Sequence, residues 1–348
     1  MELPQLLTVA ALKALDSGAG NPPFRGVFVL RRVSQRAAKN GNPFLVIEAG
    51  DRTGSFNFNA FSDSPVFSAV KAVAEGEPIR IEGRVEYYQD RLSPRILKLE
   101  TVPPEELGGI LETLIESAPE DSTALWAEFL QHIAAITDAA LRATVESVFN
   151  EIGDAFRTAP AAIAMHHAYR CGLLEHTVHM ARACRALLPL YPEVHADLAL
   201  AGVLLHDIGK TDEYVPGLST RRSRAGILQG HVILGYRHVR KAGIVNKLNP
   251  DLLERLEHII LSHQGELEWG AAAMAATPEA VFVSLVDNLD AKMGMVQRAL
   301  RQATPGEEFS DFLPGLKAPV VIVPPPAAAA GNFNIQAPAS KEDPSSRV

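Results

Sequence analysis

Cysteine is nearly absent: the 348-residue chain holds two, Cys171 and Cys184. Two thiols cannot build a disulfide framework, and their spacing matches no zinc-ligand pair, so both read as buried thiols. No apolar run approaches the roughly 18 residues that span a bilayer, which excludes a membrane-spanning helix. The N-terminus, Met1-Glu-Leu-Pro, shows no basic stretch followed by an apolar core, so no secretory signal is read and the cytoplasm is the expected compartment. Internal repeats are missing too. Positive charge is scarce overall: the net charge of −8 argues, over the whole chain, against a nucleic-acid partner.

What is present is unevenly spread. From Gly20 to Val102 there are 12 Lys and Arg against 9 Asp and Glu, so this segment carries +3 and the remainder −11. All 11 histidines fall between His132 and His263. Two segments of different chemistry therefore share the chain, whose length leaves room for two cores.

Leu6, Leu7, Ala10, Leu12 and Leu15 predict a short helix within the first 20 residues. Strand-like runs follow at Arg25–Val33, Phe44–Glu48, Ser55–Phe61, Pro78–Tyr88 and Arg95–Glu100, with turns at Ala38–Pro43 and Asp51–Gly54. A short helix fits Val66–Val73. Three strands, a helix and two strands is the order of an OB-type β-barrel. Beyond Pro103-Pro104 the pattern is helical: Leu107–Ser117, Ser122–Ile152, Leu173–Leu188, Ala196–Leu205, His231–Ala242, Asp251–Ser262 and Pro278–Arg301. The expected organisation is an N-terminal helix (1–19), an OB-fold nucleic-acid-binding domain (20–103), an all-α bundle (104–316) and a disordered Pro/Ala-rich tail (317–348).

The strongest chemical signal is His206-Asp207-Ile-Gly-Lys210, which ends the apolar run Leu198–Leu205. A His and an Asp at the end of a buried helix are costly unless something satisfies them, and a divalent metal accepts both donor types. Alone, such a dipeptide is a chance event. The rest of the set changes this: His176 near the start of its helix, His231 opening another, His263 closing the next and Asp287 mid-helix. One donor per helix on successive helices is how bundle cores build metal sites.

The segments Gly172-Leu-Leu-Glu-His-Thr, Leu204-Leu-His-Asp-Ile-Gly-Lys, Gly230-His-Val-Ile-Leu-Gly, Ile260-Leu-Ser-His and Asp287-Asn-Leu-Asp-Ala-Lys resemble the HD superfamily of metal-dependent phosphohydrolases. More narrowly, they resemble the YhaM-type 3′–5′ exoribonuclease family, in which an OB-type domain precedes an HD domain. The resemblance covers roughly residues 20–301. It implies one or two divalent ions, Mn foremost, with Mg, Co, Fe or Zn as alternatives. His176, His206, Asp207 and Asp287 would hold one ion, and Asp207 would bridge to a second held by His231 and His263. The implied reaction releases 5′-nucleotides from the 3′ end of single-stranded RNA, or of DNA. Asp207 and Lys210 are the implied catalytic pair, Lys210 being one helical turn on and placed for a phosphate oxygen. His167, of the pair His166-His167, is a candidate substrate contact, because a similar His precedes the Gly-Leu-Leu-Glu-His segment in the family. One departure stands out: Gln264 follows His263 where the family often has a second His, which opens a single-metal alternative.

The remaining histidines, His132, His179, His195 and His238, read as structural or surface residues. His258 and His263 lie about 140° apart on a helix and do not share an ion. In the N-terminal segment, aromatic and basic residues interleave as in single-strand binders. Phe56 and Phe58 share one sheet face, where core packing is the favoured role, while Arg36, Lys39, Tyr87 and Tyr88 are the expected RNA contacts. A homo-oligomer is compatible with the short track one OB domain offers. Two other functions compete: an HD phosphohydrolase of small nucleotides (a dNTP or a cyclic nucleotide), which leaves the OB-like domain without a task, and a nucleic-acid-binding adaptor with a degenerate HD domain, which the intact His206-Asp207 pair and Asp287 oppose.

Overall fold

The computed structural model describes residues 5–15, 20–38, 41–88, 91–108, 110–163, 167–215, 217–218, 220–303 and 307–322. An antiparallel sheet is followed by a helical bundle. After a short helix, α1 (Val9–Lys13), come β1 (Pro23–Ala37), β2 (Pro43–Asp51) and β3 (Gly54–Phe61). Helix α2 (Phe67–Ala72) and strands β4 (Pro78–Arg84) and β5 (Arg95–Thr101) complete this half. The hydrogen-bonded order is β3-β2-β1-β4-β5, which is OB-type connectivity. β1 serves two partners: its first half pairs with β4 and its second with β2, with a register shift between Leu30 and Arg32 that lets the strand bend. The OB-type barrel expected from the strand order is present in an open form: β3 and β5 approach each other, but no ladder joins them among the described residues.

Alternation decides the faces. Leu45, Ile47, Ala49, Phe56, Phe58 and Ala60 point into the core with Phe28 and Ile81, while Asn57, Asn59 and Phe61 are exposed. The helix expected over residues 1–19 is shorter, because residues 5–6 instead pair in parallel with Phe24 and Arg25. Thr8 caps α1, and Asp51 accepts the Val9 amide at 2.8 Å.

The bundle comprises α3 (Ser122–Ala134), α4 (Ala139–Thr158), α5 (Gly172–Leu187), α6 (Ala196–Leu205), α7 (Arg224–Val245), α8 (Pro250–Ser262) and α9 (Pro278–Gln302). The single helix expected over residues 122–152 is broken into α3 and α4. Asp138 caps α4 through the Leu141 amide at 2.7 Å. The Asp197 carboxylate accepts from the Thr137 and Asp138 amides at 2.9 and 2.8 Å. Among the described residues, no helix is long and apolar enough to cross a membrane. The tail expected from residue 317 begins as structure: Ile322 donates to the Glu308 carbonyl and Ser310 to that of Val320, both at 2.8 Å. From residue 323 on, the tail lies outside the described residues.

Helix α6 is apolar on every side and buried along its length from Leu198, as suits the central helix of a bundle. Its C-terminal end therefore delivers His206 and Asp207 into the interior. The turn that follows lies against the backbone of α7: a Cβ on Gly209 would sit 2.0 Å from the His231 carbonyl oxygen and 2.5 Å from the Gly235 nitrogen. Helix α7 is itself kinked at Gly230, where φ is 70°, a conformation glycine adopts without steric cost. The kink makes His231 the first residue of a new helical segment. Gly209→Ala should lower stability by about 1–3 kcal/mol, read from the urea midpoint. Gly108→Ala, at a position with open space around its Cβ, should leave the midpoint unchanged.

Candidate metal centre

Five helices bring donors to one point. His176 lies in the first turn and a half of α5, His206 and Asp207 follow α6, His231 restarts α7 after its kink, His263 ends α8, and Asp287 sits in α9. His176, His206 and His263 have no solvent exposure and Asp207 has 2%. The His176 Nε2 is 3.2 Å from the His206 Nε2 and 3.3 Å from Asp287 Oδ1. The His206 Nε2 is 3.3 Å from Asp207 Oδ2. On the other side of the carboxylate, Asp207 Oδ1 faces the His231 Nε2 at 3.6 Å and the His263 Nε2 at 3.5 Å.

The far nitrogens explain why these rings turn as they do. Nδ1 of His206 is 2.8 Å from the Val203 carbonyl, and Nδ1 of His263 is 2.7 Å from that of Ile260. A carbonyl only accepts, so each Nδ1 carries the hydrogen and each Nε2 presents a lone pair inward. A carboxylate holds the His176 ring, with Asp290 Oδ2 2.7 Å from its Nδ1; Glu213 Oε2 lies 3.1 Å from the His231 Nδ1 without a hydrogen bond to it. Inward lone pairs 3.2 Å apart repel unless a cation or proton lies between them. Asp207 Oδ1 is buried with no hydrogen-bond donor, which is costly for a carboxylate oxygen in protein alone. Two donor sets result, His176–His206–Asp207 and Asp207–His231–His263, each with its donor atoms within 4.8 Å of one another. Imidazole and carboxylate in this arrangement fit a divalent ion in each set, with Asp207 common to both.

Charge in the centre is mutually dependent. Burial would raise the Asp207 carboxyl, but the Lys210 ammonium and His206 hold it well below the usual range. Burial likewise opposes ionisation of Asp287, yet its hydrogen bond with His176 brings it down to about 2. His176 is itself lifted against burial to about 10 by Asp287 and Asp290.

Residues expected at the substrate fall in different places. Lys210 is 6% exposed, and its Nζ is 2.5 Å from Asp207 Oδ2; the ammonium is turned to the carboxylate. His167 is 1% exposed. Its Nδ1 lies 2.9 Å from the Tyr169 hydroxyl and 2.8 Å from Glu175 Oε2, and its Nε2 lies 3.0 Å from Asp290 Oδ2. It stands behind His176 as a support rather than on an open surface, and His166 lies outside the described residues. Tyr87 packs against the sheet core and donates its hydroxyl to the Leu15 carbonyl. The backbone of Tyr88 pairs with Arg91. Arg36 is exposed at the end of β1, and Lys39 lies outside the described residues.

Sequence reasoning missed the residues that hold the ligands. Asp290 is the main one: besides His176 and His167, its Oδ1 lies 3.4 Å from the His179 Nδ1. A signal existed, since Asp290 stands one helical turn beyond Asp287 and His179 one turn beyond His176, so each shares a helix face with a ligand. His179, read as a surface residue, joins Asp290 to Glu120, whose Oε1 is 2.5 Å from the His179 Nε2. Arg182 grips Glu120 with two hydrogen bonds of 2.9 Å and also binds Glu128. Glu213 carried no comparable periodic signal.

A family model described as HD domain matches residues 173–292, a span that contains all six donors. The chain is 31% identical over 287 residues to a protein of Shouchella clausii (strain KSM-K16) named 3′-5′ exoribonuclease YhaM, covering 82% of this chain and 88% of the other. The chain belongs to the YhaM family of HD-domain proteins. HD domains bind divalent metals, and in this YhaM-family member the paired donor sets could hold them.

Carboxylates behind metal-bound imidazoles fix ring orientation and raise basicity. Asp290→Asn should therefore weaken Mn²⁺ binding to metal-stripped protein about 10- to 100-fold, as measured by calorimetry. The Arg182 hydrogen bonds, with His179 assisting against burial, bring Glu120 from 4.5 down to about 2. A carboxylate depressed on folding stabilises above its unfolded pKa and loses that contribution as pH falls. The difference in urea midpoint between wild type and Arg182→Met should thus be full at neutral pH and close as pH drops from 4.5 towards 2.

Proposed function

We propose that this protein is a cytoplasmic, metal-dependent 3′–5′ exoribonuclease that shortens single-stranded RNA and releases 5′-nucleotides. The carrying observation is the pair of donor sets sharing Asp207, backed by the similarity to a protein named for this activity. In this reading His176, His206, Asp207 and Asp287 hold one ion, and Asp207, His231 and His263 a second, with Mn²⁺ the favoured metal. Bound ions of this kind lower the pKa of water and offset charge on phosphate oxygens.

The chain's own residues supply the rest. Lys210 keeps Asp207 ionised, so that both carboxylate oxygens remain donors rather than one carrying a proton. Asp290, fixed by His167 and His179, holds the His176 ring at one angle, and the Glu213 carboxylate supplies negative charge beside His231. Closely held donors of this type cost little reorganisation when substrate charge develops.

Residues 20–103 would hold the strand. Arg36, Phe44 and Phe61 are directly opposite one another across β1, β2 and β3, hence on one face. Phe44 and Phe61 stack with centroids 5.4 Å apart, and Phe61 is 49% exposed. An exposed aromatic pair beside an arginine suits a base and its phosphate. This row takes the place in the reading that Tyr87 held, because the Tyr87 hydroxyl is turned inward.

The test uses 5′-labelled single-stranded RNA with Mn²⁺. The expected outcome is a ladder shortening from the 3′ end, abolished by EDTA and by Asp207→Ala. Phe44→Ala and Phe61→Ala should raise KM on long RNA, each by an amount equal to about 1–3 kcal/mol of lost stacking, with turnover of a dinucleotide unchanged. RNA left intact by the wild-type protein would sink the reading and turn attention to small nucleotides.

A further inference from the structure

Gln264, immediately after His263, has its side chain in the centre. Its Nε2 lies 3.1 Å from the His231 Nε2 and 3.2 Å from the His263 Nε2. Nδ1 of His263 is committed to the Ile260 carbonyl at 2.7 Å, so its Nε2 is an acceptor, and an amide nitrogen that can only donate meets the His231 Nε2 in the same role. The Gln264 amide N–H therefore donates to them. That bond leaves Asp207 Oδ1 without a donor, so the amide nitrogen completes the imidazoles and not the carboxylate.

We propose that Gln264 is a ligand of the second metal position through its amide oxygen, and that this makes the position selective for hard ions. The inference rests on the two-ion reading above. The spacing supports it. Donors around one ion with bonds of about 2.1 Å stand roughly 3.0–3.4 Å apart. Here Gln264 is 3.1 and 3.2 Å from the two imidazoles, and these are 3.6 and 3.5 Å from Asp207 Oδ1. A half-turn about the terminal side-chain bond exchanges nitrogen for oxygen with almost no change of shape. The same side chain can thus cap two imidazole lone pairs with its N–H group, or turn its oxygen to an ion that takes those lone pairs.

The consequence is a difference between the two positions. The first offers two imidazoles and carboxylates; the second would offer two imidazoles, a shared carboxylate and a neutral oxygen. An amide oxygen is a harder donor than a third imidazole, so it shifts preference towards Mn²⁺ or Mg²⁺ and away from Zn²⁺. It also adds no charge, so the second ion is held less tightly than the first and is the one lost on dilution.

The experiment measures binding rather than turnover. Metal-stripped full-length protein is dialysed against Mn²⁺, its metal content is determined, and Mn–Mn exchange coupling is read by electron paramagnetic resonance. Wild type should bind two ions and show coupling. Gln264→Leu should keep the first ion, weaken the second by at least about tenfold and lose the coupling. Gln264→Glu, which restores an oxygen donor, should recover both, guarding against a folding defect in the leucine variant. Gln264→His should retain two ions but hold Zn²⁺ in the second position against Mn²⁺. Equal binding of two ions by wild type and Gln264→Leu would overturn the inference, as would one ion in wild type and two in Gln264→Leu, which would make the amide a plug. Protein that binds no ion at the first position either would instead remove the metal-centre reading itself.

Discussion

The structure of the helical half turns on one buried carboxylate. Asp207 has 2% exposure at the end of a helix apolar on all sides, where an isolated carboxylate would cost several kcal/mol. Lys210 compensates one oxygen at 2.5 Å, and the imidazoles of His206, His231 and His263 crowd around the rest. The other oxygen has no donor. Such an arrangement is hard to justify as a stability device, because apolar residues of similar volume would do as well or better. It is intelligible as a donor set assembled to receive cations.

Everything nearby serves to keep that set in register. Gly209 lets the turn after α6 press against α7 with a separation no side chain tolerates. The kink at Gly230 starts His231 at the right rotation. Behind the candidate ligands, Asp290, steadied by His167 and His179, holds the His176 ring by its outer nitrogen, backbone carbonyls hold those of His206 and His263, and the Glu213 carboxylate lies beside that of His231. Precision at the centre thus comes from hydrogen bonds one residue removed from it, which is why residues with no direct donor role are so deeply buried.

The sheet half obeys a different economy. Its inner face is an ordinary apolar core, and its outer face carries Arg36, Phe44 and Phe61 in one row. A surplus of three positive charges over Gly20–Val102 would give a nucleic acid only weak, salt-sensitive attraction, so in the proposed function stacking would supply what charge does not. In the proposed function the two halves are complementary in this respect: one would hold a strand by its bases, and the other would gather the cations that a phosphodiester needs.

Strand alternation, the order of strands and helices, and the spacing of six donors were legible in the sequence because each rests on local periodicity or on a short motif. The same holds for the core role of Phe56 and Phe58, where period-two alternation puts both on one face. Local pattern could not say whether the sheet closes, because closure depends on the approach of β3 and β5 from opposite ends of the order. Nor could it place His167, whose partner Asp290 is 123 positions away; Lys210 is only three residues from Asp207, but it is burial that turns its ammonium to that carboxylate. Asp290 and His179 were within reach, one helical turn from candidate ligands, yet their contacts appear only when α5 and α9 lie side by side. Residue types and their periods are properties of the chain. The His206 and His263 rings are turned by carbonyls three residues back, but the carboxylate that holds His176 comes from a segment 114 positions away, and that contact exists only in the folded state.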